Sequence, residues 1–391
     1  MRRFCLLCLL LCLCAAVGHA DTLYLPEGLL AIEAETFEGD VSLDEVIVPE
    51  GTLTIGSRAF ADSGVTAITL PESLTEIADD AFSGCLQVWV TAPAGSYAAE
   101  YVRAHEELML AGTTYRALLV GQLYSGTSSA LKGSARDVNS MAAMLRTMDA
   151  THYSAITAVT DLTASGILSS LTSAFADADE DDVSLFYYSG HGLEGGWLVG
   201  TDDSCVTPAM LRNTLDAIPG KKIILVDACY SGGMIAKSAS LLSAANAADD
   251  PAEETAVYSQ AEVSAFVDDF LSAFSMRARS AGLLDESPYY VITACTGDQL
   301  SWERHTNVSG TAVYYGIFTY SMLLGCGYNE MYGTVLSGLN ADKDGSGLLT
   351  LSETYAYAYA MVNTLVTTTT QTVCVYPTGS AQVLFGRSTA E

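Results

Sequence analysis

From residue 116 onward, short apolar runs alternate with amphipathic segments. Runs of strand length occupy five stretches, at 116–123, 154–160, 183–190, 221–228 and 288–295. Segments with apolar residues three and four apart fill four more, at 131–148, 165–178, 207–218 and 316–324. Continuous apolar strands separated by helices are typical of a parallel sheet covered on both faces. The pattern therefore predicts an α/β fold, a three-layer α/β/α sandwich with a mostly parallel sheet.

A repeat fills the chain before this region. An Ile and a Phe recur at spacings of 23 and 22 residues: Ile32, Ile55 and Ile77, with Phe37, Phe60 and Phe82. Units that bury such residues only against their neighbours predict a solenoid. The helical pattern at 95–107 predicts a cap on the stack. The region, placed at 21–110, resembles BspA-like leucine-rich repeats and is interpreted as an arm for a protein ligand, a prodomain or a spacer.

The first twenty residues have the composition of an export signal. Arg2 and Arg3 precede an apolar run through Val17, and small residues lead to Ala20. We expect a signal peptide at 1–20 that is cleaved after Ala20, which makes the protein secreted or bound at the cell surface. A membrane anchor is the weaker interpretation because the run is short for a span. No later stretch is apolar and long enough to predict a span in the mature chain.

The charge of the chain argues against polyanionic partners such as nucleic acid. It carries 46 Asp and Glu against 17 Lys and Arg, a net charge of −29. Such a chain repels nucleic acid and anionic lipid.

Four of the ten cysteines lie in the predicted signal peptide, and the others are scattered without a CxxC pair. This spacing argues against a disulfide framework and against a structural zinc site.

Two reactive side chains follow the ends of apolar strands. His191 and Cys229 each come just after a strand and beside glycines. Parallel sheets bind ligands at the carboxyl ends of their strands. A thiol beside an imidazole can become a thiolate and attack a carbonyl, and the backbone N–H groups of Gly192 and Cys229 would hold the oxyanion. The alternative is a buried thiol and a turn histidine that never meet.

Residues 187–192, YYSGHG, and 227–233, DACYSGG, resemble the two active-site motifs of the caspase-like clan of cysteine peptidases, which includes caspases and metacaspases. The resemblance is closest to the metacaspase type and covers a domain placed at 114–391. It implies that His191 is the general acid and base and that Cys229 is the nucleophile. It also implies an acyl-enzyme that water hydrolyses, with no cofactor required for the chemistry.

The same resemblance bears on specificity. Caspases accept Asp through an arginine at the position that is Leu131 here, two residues before Gly133. Metacaspases line this pocket with acids and cleave after Arg or Lys. Three matching positions here are acidic: Asp137, Asp227 and Glu303. Buried carboxylates would pair with a basic side chain, although a hydrogen bond that supports the helix is an alternative role for Asp137.

The segment 234–287 is rich in Ala, Ser and acidic residues, and it lies where this clan carries a linker that is cut during maturation. Its few basic residues are the candidates for self-cleavage: Lys237, Arg277 and Arg279. The alternative is a surface helix with an acidic loop.

Residues 342–353, DKDGSGLLTLSE, have the spacing of an EF-hand loop. The candidate oxygen ligands stand at positions 1, 3, 5, 7 and 12: Asp342, Asp344, Ser346, the Leu348 carbonyl and Glu353. Oxygen ligands at this spacing favour Ca²⁺, and a plain Asp/Gly turn is the alternative. Metacaspases that respond to calcium use a different site, so the resemblance implies no regulation through this loop.

Taken together, these patterns predict an exported caspase-like cysteine endopeptidase with a leucine-rich-repeat arm, which cleaves protein or peptide substrates after Arg or Lys. One alternative is a catalytically silent binding or adhesion protein, in which only the repeats act. The other is a cysteine peptidase of non-basic specificity.

Overall fold

A computed structural model describes three stretches of the chain, residues 22–85, 87–234 and 288–388. The described residues form two compact units, one that ends at Val102 and one that begins at Arg103. The predicted signal peptide lies outside the described residues, and so do the three candidate self-cleavage positions, Lys237, Arg277 and Arg279. Within these stretches, no helix has the length and apolarity that a membrane span needs.

The first unit contains seven short strands and the start of one helix. The strands are β1 (Thr22–Tyr24), β2 (Ala31–Ile32), β3 (Glu45–Ile47), β4 (Thr54–Ile55), β5 (Ala67–Thr69), β6 (Glu76–Ile77) and β7 (Val88–Thr91), and the helix is α1 (Tyr97–Arg103). Strands β1, β3, β5 and β7 pair in parallel in that order. Strands β2, β4 and β6 form a second parallel sheet. Each repeat thus adds one strand to each sheet, as in a solenoid.

The repeated Ile and Phe residues form the core of this unit. All six are buried: Ile32, Ile55 and Ile77, with Phe37, Phe60 and Phe82. The ring of Phe60 stacks on those of Phe37 and Phe82 with centroid distances of 5.2 Å. The Tyr101 hydroxyl of α1 donates to the Ala78 carbonyl oxygen at 2.9 Å, at the end of the stack. The predicted solenoid is confirmed.

The second unit contains the remaining strands and helices. Its strands are β8 (Leu108–Leu110), β9 (Tyr115–Gly121), β10 (Tyr153–Thr160), β11 (Val183–Ser189), β12 (Gly192–Leu193), β13 (Trp197–Val199), β14 (Cys205–Val206), β15 (Lys221–Asp227), β16 (Tyr289–Thr293), β17 (Glu303–Val308), β18 (Thr311–Gly316), β19 (Tyr328–Asn329), β20 (Thr334–Val335), β21 (Leu348–Thr350), β22 (Cys374–Tyr376) and β23 (Val383–Gly386). Its helices are α2 (Ser134–Leu145), α3 (Ala164–Ala174), α4 (Pro208–Asp216), α5 (Ile317–Gly325) and α6 (Leu351–Leu365).

A six-stranded sheet in the order β10-β9-β11-β15-β16-β22 forms the middle layer. The first five strands are parallel, and β22 runs antiparallel at the edge. Residues of α3 and α4 share a core with Phe186 and Ile224 on one face. On the other face α2 packs against α5, and the side chains of Tyr187 and Thr319 are hydrogen bonded at 2.7 Å. The predicted α/β/α sandwich is confirmed.

Candidate active site

Strand register places the two reactive side chains at one rim of the sheet. Strands β11 and β15 are adjacent and parallel, and their last residues, Ser189 and Asp227, are register partners. His191 and Cys229 each follow two residues later. Between these turns there is no room for a side chain at Gly192, because its Cβ would lie 2.0 Å from the Cys229 carbonyl oxygen. Glycine therefore permits the close approach of the two segments.

One cavity opens at this rim. Its lining includes the two reactive side chains and the three acidic side chains that the sequence singled out: His191, Cys229, Asp137, Asp227 and Glu303. These residues come from four separate parts of the chain, and the fold brings them together.

The His191 ring is held by two neighbours. Its Nε2 lies 2.6 Å from the carbonyl oxygen of Ser129. Because a carbonyl oxygen only accepts, this contact assigns the proton of the neutral ring to Nε2 and leaves Nδ1 as the base. The ring also packs on Tyr124, with centroids 4.5 Å apart, and the His191 backbone N–H donates to the Tyr124 hydroxyl at 3.0 Å.

The Cys229 thiol lies near the Ser301 carbonyl oxygen, at 3.6 Å. Burial raises the pKa of this thiol above its usual value. The resting thiol is therefore protonated at neutral pH, and a nearby base must remove its proton before it attacks. Tyr230, the next residue, has a φ of 56°, a left-handed conformation that is strained for a bulky residue. Its backbone N–H donates to the Gln299 carbonyl oxygen at 2.7 Å, which holds the turn.

The two candidate oxyanion donors belong to adjacent segments, the turns that follow β11 and β15. The Val199 N–H donates to the His191 carbonyl oxygen at 3.2 Å. The next antiparallel pair, Gly192 with Leu198, is therefore a non-hydrogen-bonded pair, and the Gly192 N–H is directed away from β13. Both N–H groups, of Gly192 and of Cys229, belong to the segments that meet beside the thiol.

Asp137 lies in the first turn of α2 and is 1% exposed. Its carboxylate accepts from the Ser189 hydroxyl at 2.8 Å and from the Gly316 N–H at 3.1 Å. These donors lie in β11 and at the end of β18, so the carboxylate of Asp137 links both strands to α2. Burial, and after it the nearby charge of Asp227, raise the pKa of Asp137 to about 7.

Neutral hydrogen-bond donors surround the carboxylates of Asp227 and Glu303. Asp227 accepts from the Ser301 hydroxyl at 2.6 Å and from the hydroxyl and N–H of Thr319 at 2.7 and 3.1 Å. Glu303 accepts from the Gly133 N–H at 2.8 Å. Burial raises the pKa of both carboxyl groups above their usual values.

None of the ion pairs within the described stretches involves these three acids. Buried carboxylates without a cation are costly, and a protein ordinarily pairs or protonates them. A guanidinium or ammonium group that entered the cavity would supply the missing charge. The arrangement is therefore suited to a basic ligand.

Sequence reasoning missed several groups that shape this site. The Ser129 carbonyl, the ring of Tyr124 and the backbone N–H of Gly316 all contact predicted site residues. A backbone carbonyl leaves no signature in the sequence, because any residue supplies one. Thr319 carried no signal either, since it lies within an apolar helix.

The EF-hand-like loop contributes no residue to the lining of this cavity. Carboxylate oxygens of Asp342, Asp344 and Glu353 come within 4.8 Å of one another. Loop N–H groups already donate to them, since Asp342 accepts from Gly347 at 2.9 Å and Glu353 closes a capping box with Thr350. The Leu348 carbonyl oxygen, at the start of β21, accepts from the Ser346 hydroxyl at 3.3 Å, and Glu353 lies in the first turn of α6.

The structure places a thiol and an imidazole at one rim of a parallel sheet, beside an acidic pocket, on an α/β/α sandwich. The family model described as Caspase domain matches residues 114–340, more than half of the chain. The protein therefore belongs to the caspase-domain family. A second model, for the BspA type leucine-rich repeat region, matches in six copies over residues 18–90. Both predicted resemblances are confirmed.

Two curated relatives are metacaspases of Arabidopsis thaliana. Metacaspase-4 is 30% identical over 144 residues, which are 31% of this chain and 34% of the relative. Metacaspase-7 is 31% identical over 142 residues, 31% of this chain and 35% of the relative. The chain thus matches about a third of the length of each. A crystal structure of caspase-1 from Spodoptera frugiperda aligns with a TM-score of 0.42 and 12% identity, over 71% of this chain and 91% of that one.

Proposed function

We propose that this protein is an endopeptidase that cleaves peptide bonds after Arg or Lys. The observation that carries the proposal is the cavity that Cys229 and His191 share with three acids, of which Asp137 and Asp227 are buried. The thiol and imidazole supply the chemistry, and the acids select the residue before the scissile bond.

The geometry supports a sequence of steps with balanced protons. Nδ1 of His191 takes the thiol proton, and Sγ of Cys229 attacks the scissile carbonyl carbon. The N–H groups of Gly192 and Cys229 donate to the resulting oxyanion. As the tetrahedral intermediate collapses, His191 gives its proton to the leaving amine, and a thioester remains. Water then attacks the thioester with His191 as the base, which releases the acid product and restores the thiol.

Specificity follows from charge in the pocket. A basic side chain would lie against Asp137 and Asp227 and supply the positive charge that pairs with their carboxylates. An acidic side chain would add a further negative charge to the same buried space, which costs free energy. We therefore infer cleavage after Arg or Lys and rejection of Asp and Glu.

A panel of fluorogenic peptides that differ only in the residue before the scissile bond tests this proposal. The expected result is turnover of the Arg and Lys peptides and none of the Asp and Glu peptides. The matched controls are Cys229→Ala and His191→Ala, which should both lose at least about a thousandfold in kcat/KM. Equal turnover of the Arg and Ala peptides would support the non-basic specificity, and no turnover of any peptide would support the silent binding protein.

The export of the protein and a protein ligand for its repeats are further proposals. The charge and apolar pattern of residues 1–20 support export with cleavage after Ala20. Solenoids commonly present an extended surface to a partner, which supports the second proposal. Amino-terminal sequencing of protein collected outside the producing cell tests the first; a mature chain that still begins at Met1 would contradict it.

Calcium binding at residues 342–353 is also proposed. The spacing of the oxygen ligands and the proximity of three carboxylates support it. Calorimetric titration of the full chain with CaCl₂ should show one site that Asp342→Asn and Glu353→Gln each weaken at least about tenfold. Lys343→Ala, within the same loop but without a ligand oxygen in its side chain, is the control. No heat of binding at millimolar CaCl₂ would show that the loop is an Asp/Gly turn.

Self-cleavage within 234–287 is the last proposal of this group. The basic specificity proposed above and three basic residues in an acidic segment support it: Lys237, Arg277 and Arg279. Purified protein should yield fragments with new ends after one of these residues, as read by mass spectrometry. The Cys229→Ala variant should stay intact. An identical pattern for the two proteins would contradict the proposal.

A further inference from the structure

Two large apolar side chains are exposed next to the candidate catalytic residues. The hairpin of β12 and β13 begins one residue after His191. On it, Leu193 is 47% exposed and Trp197 is 43% exposed. The two are direct cross-strand partners, so their side chains project from the same face of the hairpin. We call this pair the apolar shelf.

The opposite face of the hairpin is anchored. Leu198 is fully buried in the core of the unit, and Gly192 lies against the Cys229 carbonyl oxygen. Strand β13 also packs against the short 3₁₀ helix Ser231–Met234, which follows the nucleophile. The shelf therefore keeps a fixed position beside Cys229, while its outer face carries apolar area in contact with water.

The position of the apolar shelf relative to Cys229 and His191 determines which substrate residues would contact it. In the proposed mechanism, the residue before the scissile bond enters the acidic pocket. His191 must reach the leaving nitrogen, so the substrate continues past the imidazole on the other side. The chain runs from His191 directly into Gly192 and Leu193. This continuity would bring the first residues after the scissile bond over the hairpin.

We propose that the apolar shelf binds an apolar side chain of the substrate, at the first or second position after the scissile bond. The inference rests on the proposed peptidase function and adds a preference on the leaving-group side of the bond. Burial of an apolar side chain against Leu193 and Trp197 would remove apolar area of both partners from water. Glu194, in the turn between the shelf residues, would repel an acidic side chain at the same position.

Internally quenched peptides that are identical up to the Arg before the scissile bond provide the test. They continue with Gly-Gly, Leu-Gly, Gly-Leu or Asp-Gly. The expected kcat/KM is about tenfold higher for one of the Leu peptides than for Gly-Gly. Trp197→Ala and Leu193→Ser should each bring this ratio to within about twofold of unity and leave the Gly-Gly peptide unaffected. Trp197→Phe should keep most of the preference, because it keeps an aromatic ring.

The control variant is Tyr359→Ala, which removes an exposed aromatic side chain from α6 and should leave every ratio unchanged. If the wild type cleaves Gly-Gly as fast as both Leu peptides, or if the shelf variants keep the preference, the shelf proposal is wrong and the peptidase function stands. If no peptide is cleaved, Gly-Gly included, the peptidase function is wrong and the shelf proposal fails with it.

Discussion

Asp137 and Asp227 are two carboxylates buried side by side at the candidate pocket, and a shared proton or a bound cation would relieve their repulsion. Asp137 is 1% exposed, and burial and the neighbouring charge raise its pKa to about 7. Burial raises the pKa of Asp227 as well. Protonation and the binding of a basic side chain therefore compete for the same site.

This competition predicts a pH dependence of specificity. As the pH rises from about 5.5 to about 8, Asp137 loses its proton and attracts a guanidinium group more strongly. The ratio of kcat/KM for an Arg peptide to that for a Gln peptide should rise over this range. The Gln peptide undergoes the same chemical steps at the scissile bond, so the ratio isolates the effect of the pocket.

The Asp137→Asn variant should lower the ratio about 10- to 100-fold at pH 8 and flatten its rise. Steady-state kinetics with the two peptides at several pH values measure both effects. A ratio that stays constant with pH in the wild type would contradict the assignment of Asp137 to the pocket.

At the scale of elements, the junction of β18 and α5 determines how closely the acids approach. Gly316 has a φ of −71°, which alanine also adopts, so a substitution there would add no backbone strain. Its added Cβ would lie 2.2 Å from Oδ2 of Asp227 and 3.1 Å from Oδ2 of Asp137. The absence of a side chain at this position is what lets both carboxylates face the cavity.

Gly316→Ala should therefore destabilise the protein by about 1–3 kcal/mol, because the added methyl group forces the acids or α5 to shift. The cleavage of Arg peptides should fall with it. Urea denaturation followed by circular dichroism measures the first effect. Gly338→Ala is the matched control, since a Cβ there meets no atom within 4 Å. Equal stability of the two variants would show that the junction accommodates the added methyl group without a shift of the acids or of α5.

The elements also show how much of the fold could be predicted from the sequence. The central strands β9, β11 and β15 and helices α2–α5 were predictable, because buried strands are continuous apolar runs and the apolar residues of a helix recur every three to four positions. The hairpins β12–β13 and β17–β18 were not. Strand β12 has two residues, and β17 reads Glu-Arg-His-Thr-Asn-Val, a polar run without alternation. Their positions depend on backbone pairing with a neighbour, which a single sequence does not display.

The same limit applies to the candidate site. His191 and Cys229 could be found because each side chain follows a predicted strand and has glycines close by in the sequence. The three acids were found through a resemblance to a family. The Ser129 carbonyl that orients His191 became visible only in three dimensions, because it is a backbone group on a loop.

For the whole molecule, a net charge of −29 and buried acids make stability depend on pH. A carboxyl group whose pKa is raised on folding binds its proton more tightly in the folded state than in the unfolded state. Its contribution to stability is complete below the unfolded value, near 4, and is lost as the pH rises through the folded value. For Asp137 the folded value is about 7, so this loss falls between about pH 4 and pH 7.

The free energy of unfolding should therefore decrease between about pH 5 and pH 7.5, by a few kcal/mol. Self-repulsion of the net negative charge acts in the same direction, but salt screens it. The Asp137→Asn variant lacks the titrating group, so it should lose less stability over this range than the wild type, and the difference should persist in about 0.5 M NaCl. Urea denaturation at both pH values and both salt concentrations measures these effects. Identical pH profiles for the two proteins in high salt would show that Asp137 keeps an ordinary pKa in the folded protein.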